Sequence, residues 1–218
     1  MNETKETNEV IEAATIEKVN PFLSVWMHPK KTARYVVQEK SLLFVFLILY
    51  LGYFGTFFSS YDPEIFPEIP IWALILISVI ASPFIAVISN AFSALGIWLF
   101  GKLFAGKGTY QQIFKAIALS ALPSIVLIPI YLLWFLIDSN SFLYPGEGFS
   151  FFSILSNLAI FVTSIWAIVI SIAAIAEIHQ FSNWKAFFTL LLFTIVVGLI
   201  IGFIAIIMVF LIGIALFI

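Results

Sequence analysis

Five long runs of apolar residues alternate with short polar stretches along this chain of 218 residues. A helix needs roughly 20 apolar residues to cross the hydrocarbon core of a bilayer, and each run is about that long or longer. Because backbone polar groups in lipid must be paired within the segment, the runs are predicted to be helices and not strands. The predicted spans are residues 42–59, 71–104, 113–137, 151–176 and 187–217.

Prolines interrupt two of these runs. Pro83 lies in the second run, and Pro123 and Pro129 lie in the third. Each proline removes one helical hydrogen-bond donor, so we expect a kink in the third span. The second run is longer than a straight crossing requires, so we expect a tilt, a bend near Pro83 or an extension past the membrane face.

The connections between the runs differ in charge. The first-to-second and third-to-fourth connections contain acidic residues and no Lys or Arg, whereas all ten basic residues fall on the other side of a five-span topology. The positive-inside rule places the basic side in the cytoplasm. The sequence therefore predicts an all-α integral membrane protein with a cytoplasmic N-terminus and an outer C-terminus.

Composition supports this fold class. Apolar residues make up 62% of the chain, charged residues only 10%, and the mean hydropathy is +1.13. A small soluble enzyme could not cover so much apolar surface. Ten basic residues are outnumbered by twelve acidic ones, which argues against nucleic-acid binding. With no cysteine and no HExxH pair, we expect no metal or cofactor. The partner that the composition itself implies is the lipid bilayer.

The segment before the first run has two parts. Residues 1–18 are acidic and lack aromatic side chains, so they are predicted to form a flexible tail. Residues 19–40 mix apolar and basic side chains, and Pro29 suits the start of a helix. We expect an amphipathic segment at the membrane interface, with Trp26 and Tyr35 at headgroup level.

A glycine-rich stretch, Gly101 to Gly108, nearly matches the phosphate-binding pattern GxxxxGK[ST]. Gly108 replaces the required Ser or Thr, and the stretch follows a membrane helix instead of a strand. We therefore expect a tight turn, with Thr109 or a neighbouring residue capping the third span.

Small and polar residues form stripes along three runs. Such stripes usually mark helix packing, and a solute path is the alternative. Gly198 and Gly202 form a GxxxG pair that suits either contact inside the bundle or contact with a second copy. The stripe of the second run is Ser82, Ala86, Ser89, Asn90, Ser93 and Gly96, and that of the fourth run is Asn157, Ser164 and Ser171.

Two ionisable residues, Glu177 and His179, follow the fourth predicted span. At membrane depth such residues are functional candidates, but here they are expected at the boundary. Glu177 could carry a proton, bind a partner, pair with Lys185 or cap a helix.

Asp62 and Asp138 fall at span ends, so we expect no aspartyl protease site and no enzymatic activity.

Three blocks of sequence resemble the Yip family of Ypt/Rab-interacting membrane proteins, in a bacterial form. They are NPFLSVWMHPKKT, GKGTYQQIFKAIALSALPS and SIWAIVISIAAIAEIHQFSNWKAF. The resemblance implies five membrane helices and a cytoplasmic N-terminus. Eukaryotic relatives bind small GTPases in vesicle traffic, and that role does not transfer to a bacterial chain. Some bacterial relatives resemble accessory proteins of transport systems.

We therefore expect a non-enzymatic membrane adaptor in a bacterial cytoplasmic membrane, which docks a membrane or cytoplasmic partner through its cytoplasmic face. Three alternatives stay open. The family-like residues could be purely structural, or the protein could form a homo-oligomer. It could also be a small transporter or channel with a polar path near Asn90, Asn157 and Glu177. The expected docking residues are Asn20, Pro21, Trp26, Pro29, Gly106, Gly108, Tyr110, Pro123, Glu177, His179 and Trp184.

Overall fold

The computed structural model describes residues 17–60, 69–143 and 150–217, and these residues are helical apart from short connections. No strand occurs among them. The predicted tail up to residue 16 lies outside the described residues. So do four of the five acidic residues of the two connections predicted to face outward, namely Asp62, Glu64, Glu68 and Glu147.

Nine α-helices make up the described part of the chain, and two 3₁₀ stretches extend or join them. The 3₁₀ stretches are Phe58–Ser60, at the end of α3, and Ala118–Val126, between α5 and α6. The α-helices are α1 (Pro21–Ser24), α2 (Pro29–Glu39), α3 (Leu42–Phe57), α4 (Ile71–Leu103), α5 (Tyr110–Ile117), α6 (Leu127–Ile137), α7 (Ser139–Leu143), α8 (Phe151–His179) and α9 (Asn183–Phe217).

The five predicted spans are confirmed. Within the described residues, five helical segments are long and apolar enough to cross a bilayer. The ends differ from the predicted ones because capping residues set them: the third span begins at Tyr110 and the fourth continues to His179, which puts Glu177 inside a helix. The segments are Leu42–Ser60, Trp72–Leu103, Tyr110–Ile137, Phe151–His179 and Asn183–Gly213.

The third span changes from an α-helix to a 3₁₀ helix in the region where a kink was predicted. Residues Ala118–Val126 form a 3₁₀ helix that contains Pro123, whose ring nitrogen cannot donate to the helical ladder. This stretch packs against α3, where Gly52 and Gly55 face it. A Cβ added at either glycine would overlap a backbone carbonyl of the stretch. The second span, in contrast, runs without interruption through Pro83.

The small-residue stripe of α4 is a packing surface. Ser82, Ala86 and Asn90 are buried, and a Cβ added at Gly96 would overlap the ring of Phe193 in α9. The prediction of a packing stripe is thus confirmed for this helix.

Within this chain, the packing prediction fails for two of the three members of the α8 stripe, whereas Ser171 is half-buried. Asn157 and Ser164 are exposed, while Ser156, Thr163 and Ile170, each one position earlier, are buried. Both sets repeat every seven residues, so spacing alone could not distinguish the two adjacent faces. The buried hydroxyls are satisfied within the helix, since Thr163 donates to the Ala159 carbonyl at 2.8 Å.

The far half of α9 stands apart from the bundle. Residues 198–212 are all exposed, and nothing in the described part of the chain lies within 4 Å of a Cβ added at Gly198 or Gly202. These glycines therefore pack against no other helix among the described residues. Their predicted contact with a second copy stays a prediction.

The longer helices extend beyond a bilayer core. With 29 residues, α8 is roughly 44 Å long, against about 30 Å of hydrocarbon. Along most of its length one side of α8 is exposed, but Ala173 through Ala176 are all buried. Around these residues α2 and α5 pack against α8 and enclose it.

The amphipathic helix α2 has the polarity that its pattern predicted. Ala33, Tyr35 and Val36 are buried, whereas Arg34 and Gln38 are exposed. The buried face packs on α5 and α8, although the pattern alone predicted burial against lipid. Most of the apolar surface of α2 is thus covered by the protein itself.

Candidate functional site

The basic residues of the second-to-third connection and of the N-terminal segment meet at one end of the bundle, which we call the basic end. Lys115 of α5 donates to the carbonyls of Val37 at 3.1 Å and Lys40 at 2.6 Å, at the C-terminus of α2. Lys107 donates its backbone N–H to the carbonyl of His179 at 3.1 Å. These bonds join three segments that are distant in sequence.

An ion pair fastens α2 to α8 at this end. Arg34 Nε donates to Glu177 Oε1 at 2.7 Å, and the side chain of Glu177 is only 17% exposed. A pairing with Lys185 was one of the alternatives that the sequence left open for Glu177. The partner is Arg34 because α2 packs along α8, which charge spacing could not reveal. The negative charge of Glu177 is therefore balanced by the positive charge of Arg34.

A polar groove of about 130 Å³ opens beside this ion pair. Its walls come from α2, from the start of α5 and from the end of α8. Side-chain amides and charges dominate the lining, with Arg34, Gln38, Gln112, Glu177 and Gln180 as the polar members. Such groups can exchange hydrogen bonds with a polypeptide that approaches from outside.

His179 is enclosed by the glycine-rich stretch. The imidazole is fully buried, and a Cβ added at Gly101 or Gly106 would overlap its ring. The ring stacks on Phe181 at a centroid distance of 5.1 Å. Neither ring nitrogen has a partner at hydrogen-bond geometry among the described residues, although the Ile97 backbone is near enough to interact with the ring.

The glycine-rich stretch is a tight turn, as predicted. Ala105 has a positive φ of 61°, and Gly106 donates to the carbonyl of Gly101 at 2.9 Å. Thr109 caps α5, and Gln112 completes a capping box by accepting from the Thr109 N–H at 2.9 Å. The amide of Gly106 is thus used inside the turn.

Several of the predicted docking residues have structural roles in the segment formed by α1 and α2. Asn20 caps α1 by accepting from the Phe22 N–H at 3.1 Å, and Pro21 and Pro29 begin α1 and α2. Trp26 stacks on Trp166 of α8 at 6.4 Å. These residues shape the segment and hold it on the bundle.

The predicted docking residues differ widely in exposure. Tyr110 and Trp184 are 39% and 72% exposed, and with Asn20 they are accessible to a partner. Trp26, Pro29 and Glu177 are half-buried. The buried members are Pro21, Gly106, Gly108, Pro123 and His179, of which Pro123 lies inside the third span. Direct docking on the buried members requires a change of conformation.

The three residues of the alternative polar path are not brought together. Asn90 is buried and donates to the carbonyl of Phe114 at 3.0 Å. Asn157 is exposed, and it lies 20 positions before Glu177 on the same helix, or roughly 30 Å along its axis. Glu177 is held by Arg34. The described residues therefore show no connected row of these groups.

At the opposite end, Asp138 is a capping residue. Ser141 donates its hydroxyl to Asp138 Oδ2 at 2.5 Å, and this bond holds the pKa of the carboxyl below its ordinary value of 3.8. The same hydroxyl accepts from the Trp134 indole at 2.7 Å. Asp138 thus fixes the turn between α6 and α7.

Sequence reasoning missed Arg34, Gln38, Gln112 and Gln180 as members of one groove. They come from three elements, and single polar residues at helix ends carry no distinguishing signal. The amphipathic pattern of α2 did place Arg34 away from the apolar face, which is the one hint that it could reach another element.

Comparison with known proteins agrees with this architecture. The sequence model of the Yip1 domain matches residues 23–206, which is most of the chain. No curated protein and no solved structure gives a significant match. Five apolar helices and this match over nearly the whole bundle lead to one conclusion: the chain is an integral membrane protein of the Yip family.

Proposed function

We propose that this protein is a non-enzymatic membrane adaptor that docks a polypeptide partner in the polar groove at the basic end. The observation that supports this most strongly is the groove itself. Arg34 and Glu177 fix α2 against α8, and Gln38, Gln112 and Gln180 surround the pair. A pre-formed polar surface of this kind binds without a large ordering cost.

The state of the ionisable groups favours binding over chemistry. A general acid or base must reach its substrate. Glu177 is neutralised by Arg34, and the ring of His179 is enclosed by Gly101 and Gly106. The ring of His179 is thus out of reach of a substrate, and the carboxylate of Glu177 is already engaged in an ion pair.

We place the basic end in the cytoplasm of a bacterial cell. Lys102, Lys107, Lys115 and Lys185 lie in or beside the connections at this end, and the positive-inside rule assigns such connections to the cytoplasm. The partner is then a cytoplasmic protein or the cytoplasmic part of a membrane protein, such as a transporter subunit.

Site-specific photo-crosslinking in native membranes tests the adaptor proposal. A photoreactive residue at Gln38, which is exposed in the groove, should yield one defined protein adduct, identified by mass spectrometry. The same residue at Asn140, exposed at the opposite end, should not yield it. Glu177→Gln should reduce the adduct about tenfold or more, because the fixed charge pair is lost.

Two controls separate docking from folding and from transport. Lys107→Gln, which changes an exposed charge outside the groove, should leave the adduct unchanged, and Glu177→Gln should accumulate normally in the membrane. Equal adducts at Gln38 and Asn140 contradict the proposal. Solute flux through liposomes containing the purified protein, lost on Glu177→Gln, would support the transporter alternative instead.

A further inference from the structure

A second cavity lies beside the first turn of α2, on the flank of the bundle. Its volume is about 580 Å³. One wall is formed by the start of α2, another by α8, and Asn183 at the start of α9 closes one side. The cavity is separate from the polar groove and shares no lining residue with it.

The α2 wall is basic. His28, Lys30 and Lys31 line it, and no Asp or Glu side chain does so among the described residues. Lys31 forms an ion pair with Glu17, which does not line the cavity, whereas Lys30 has no carboxylate of the described residues within ion-pair distance. His28 makes no side-chain cap for α2. The charge of this wall fits an anion.

The α8 wall is apolar, and it marks a boundary. Val169 and Ile172 form it together with Ala173, and Val169 is 43% exposed. Immediately beyond, α8 becomes enclosed by protein, since Ala174 and Ile175 are fully buried. The cavity lies near the end of this long span, where the headgroup region of a bilayer is expected because α8 is longer than the hydrocarbon core.

We propose that this cavity binds an anionic glycerophospholipid, with its phosphate against Lys30 and Lys31 and the start of an acyl chain along Val169 and Ile172. The basic wall supplies charge recognition, and the apolar wall requires a ligand that is part hydrocarbon. Glu17 competes for Lys31, so the lipid binds more weakly while that ion pair is intact. This site is independent of the adaptor role.

Native mass spectrometry of the whole protein, released from nanodiscs, tests the site. The probes are phosphatidylglycerol and phosphatidylcholine with identical acyl chains. Wild type should retain phosphatidylglycerol preferentially, and Lys30→Gln with Lys31→Gln should reduce its retention by about fivefold for each lysine removed. Glu17→Gln should increase retention because it frees Lys31. Excess inorganic phosphate should not displace the lipid, since phosphate cannot use the apolar wall.

Lys107→Gln with Lys185→Gln is the matched control, because it removes two exposed charges from the same end outside the cavity. It should leave retention unchanged. An equal loss in this control would show general surface attraction and overturn the site. Equal retention of both lipids by wild type would do the same. Displacement by inorganic phosphate would show a simple anion site and would also overturn the lipid proposal.

Discussion

Some glycine residues in this chain make space for a neighbouring group, whereas others have no neighbour at all among the described residues. Gly101 and Gly106 make space for the buried imidazole of His179, whereas a Cβ at Gly198 would meet nothing within 4 Å. The sequence predicts the turn and the cap at Thr109, because both depend on neighbouring residues. It does not predict what the glycines face, since His179 is more than 70 positions away.

Gly101→Ala should destabilise the fold by about 1–3 kcal/mol, because the added methyl overlaps a ring that cannot move out of a packed core. Gly198→Ala is the matched control: it is also helical, it gains the same helix propensity of about 1 kcal/mol, and it meets no neighbour. The free energy of unfolding in mixed micelles is the measurement.

The double variant decides whether His179 is the cause. In a His179→Ala background the ring is absent, so Gly101→Ala should cost little or become stabilising. If Gly101→Ala is as harmful without the imidazole as with it, the proposed overlap is not the source of the loss.

Helix α3 packs closely against the 3₁₀ stretch Ala118–Val126. Gly52 and Gly55 let the carbonyls of Ala121 and Ser124 approach the α3 backbone. Small residues allow this close approach in membrane bundles, where packing replaces the hydrophobic effect as the driving force. The contact also helps to explain how a nine-residue 3₁₀ stretch persists, because α3 packs against it on one side and α8 packs against it as well.

Gly55→Ala should destabilise the protein at least as much as Gly101→Ala, because the obstacle is a backbone carbonyl and cannot rotate away. For the same reason Ser124→Gly should not rescue it, in contrast to the rescue expected for His179→Ala. Thermal unfolding in detergent measures both, with Gly202→Ala as the unobstructed helical control. A rescue by Ser124→Gly would show that the side chain, and not the carbonyl, limits the approach.

The spans could be predicted from the sequence, but the interruption and the groove could not. Each span is a local property: an apolar run is long enough for a bilayer whatever surrounds it. The 3₁₀ stretch depends on a second helix that carries Gly52 and Gly55. The groove depends on Arg34 and Glu177, which are 143 positions apart and meet only after α2 has packed on α8. Pattern reasoning identified Glu177 as unusual without finding its partner.

At the basic end, polar contacts join elements that are far apart in the sequence. The N-terminal segment, the second-to-third connection and the end of α8 are joined there by Lys115, Lys107 and Arg34. The far half of α9 is free of such contacts within the described chain. The adaptor proposal assigns its partner to the basic end, where these contacts fix three segments relative to one another.

Topology is the property of the whole molecule on which that assignment depends, and the absence of cysteine makes it directly measurable. Asn140→Cys, at the end predicted to face outward, should react with a membrane-impermeant maleimide in intact cells. Lys107→Cys and Ser182→Cys, both exposed at the basic end, should react only after permeabilisation, because the lysines and arginine hold that end inside. The cysteine-free parent supplies the background. Reaction of Lys107→Cys in intact cells, with protection of Asn140→Cys, would show that the topology is the reverse of the predicted one. The basic end would then lie outside the cell, and a cytoplasmic partner could not bind there. Reaction of all three would show that the chain does not cross the membrane five times.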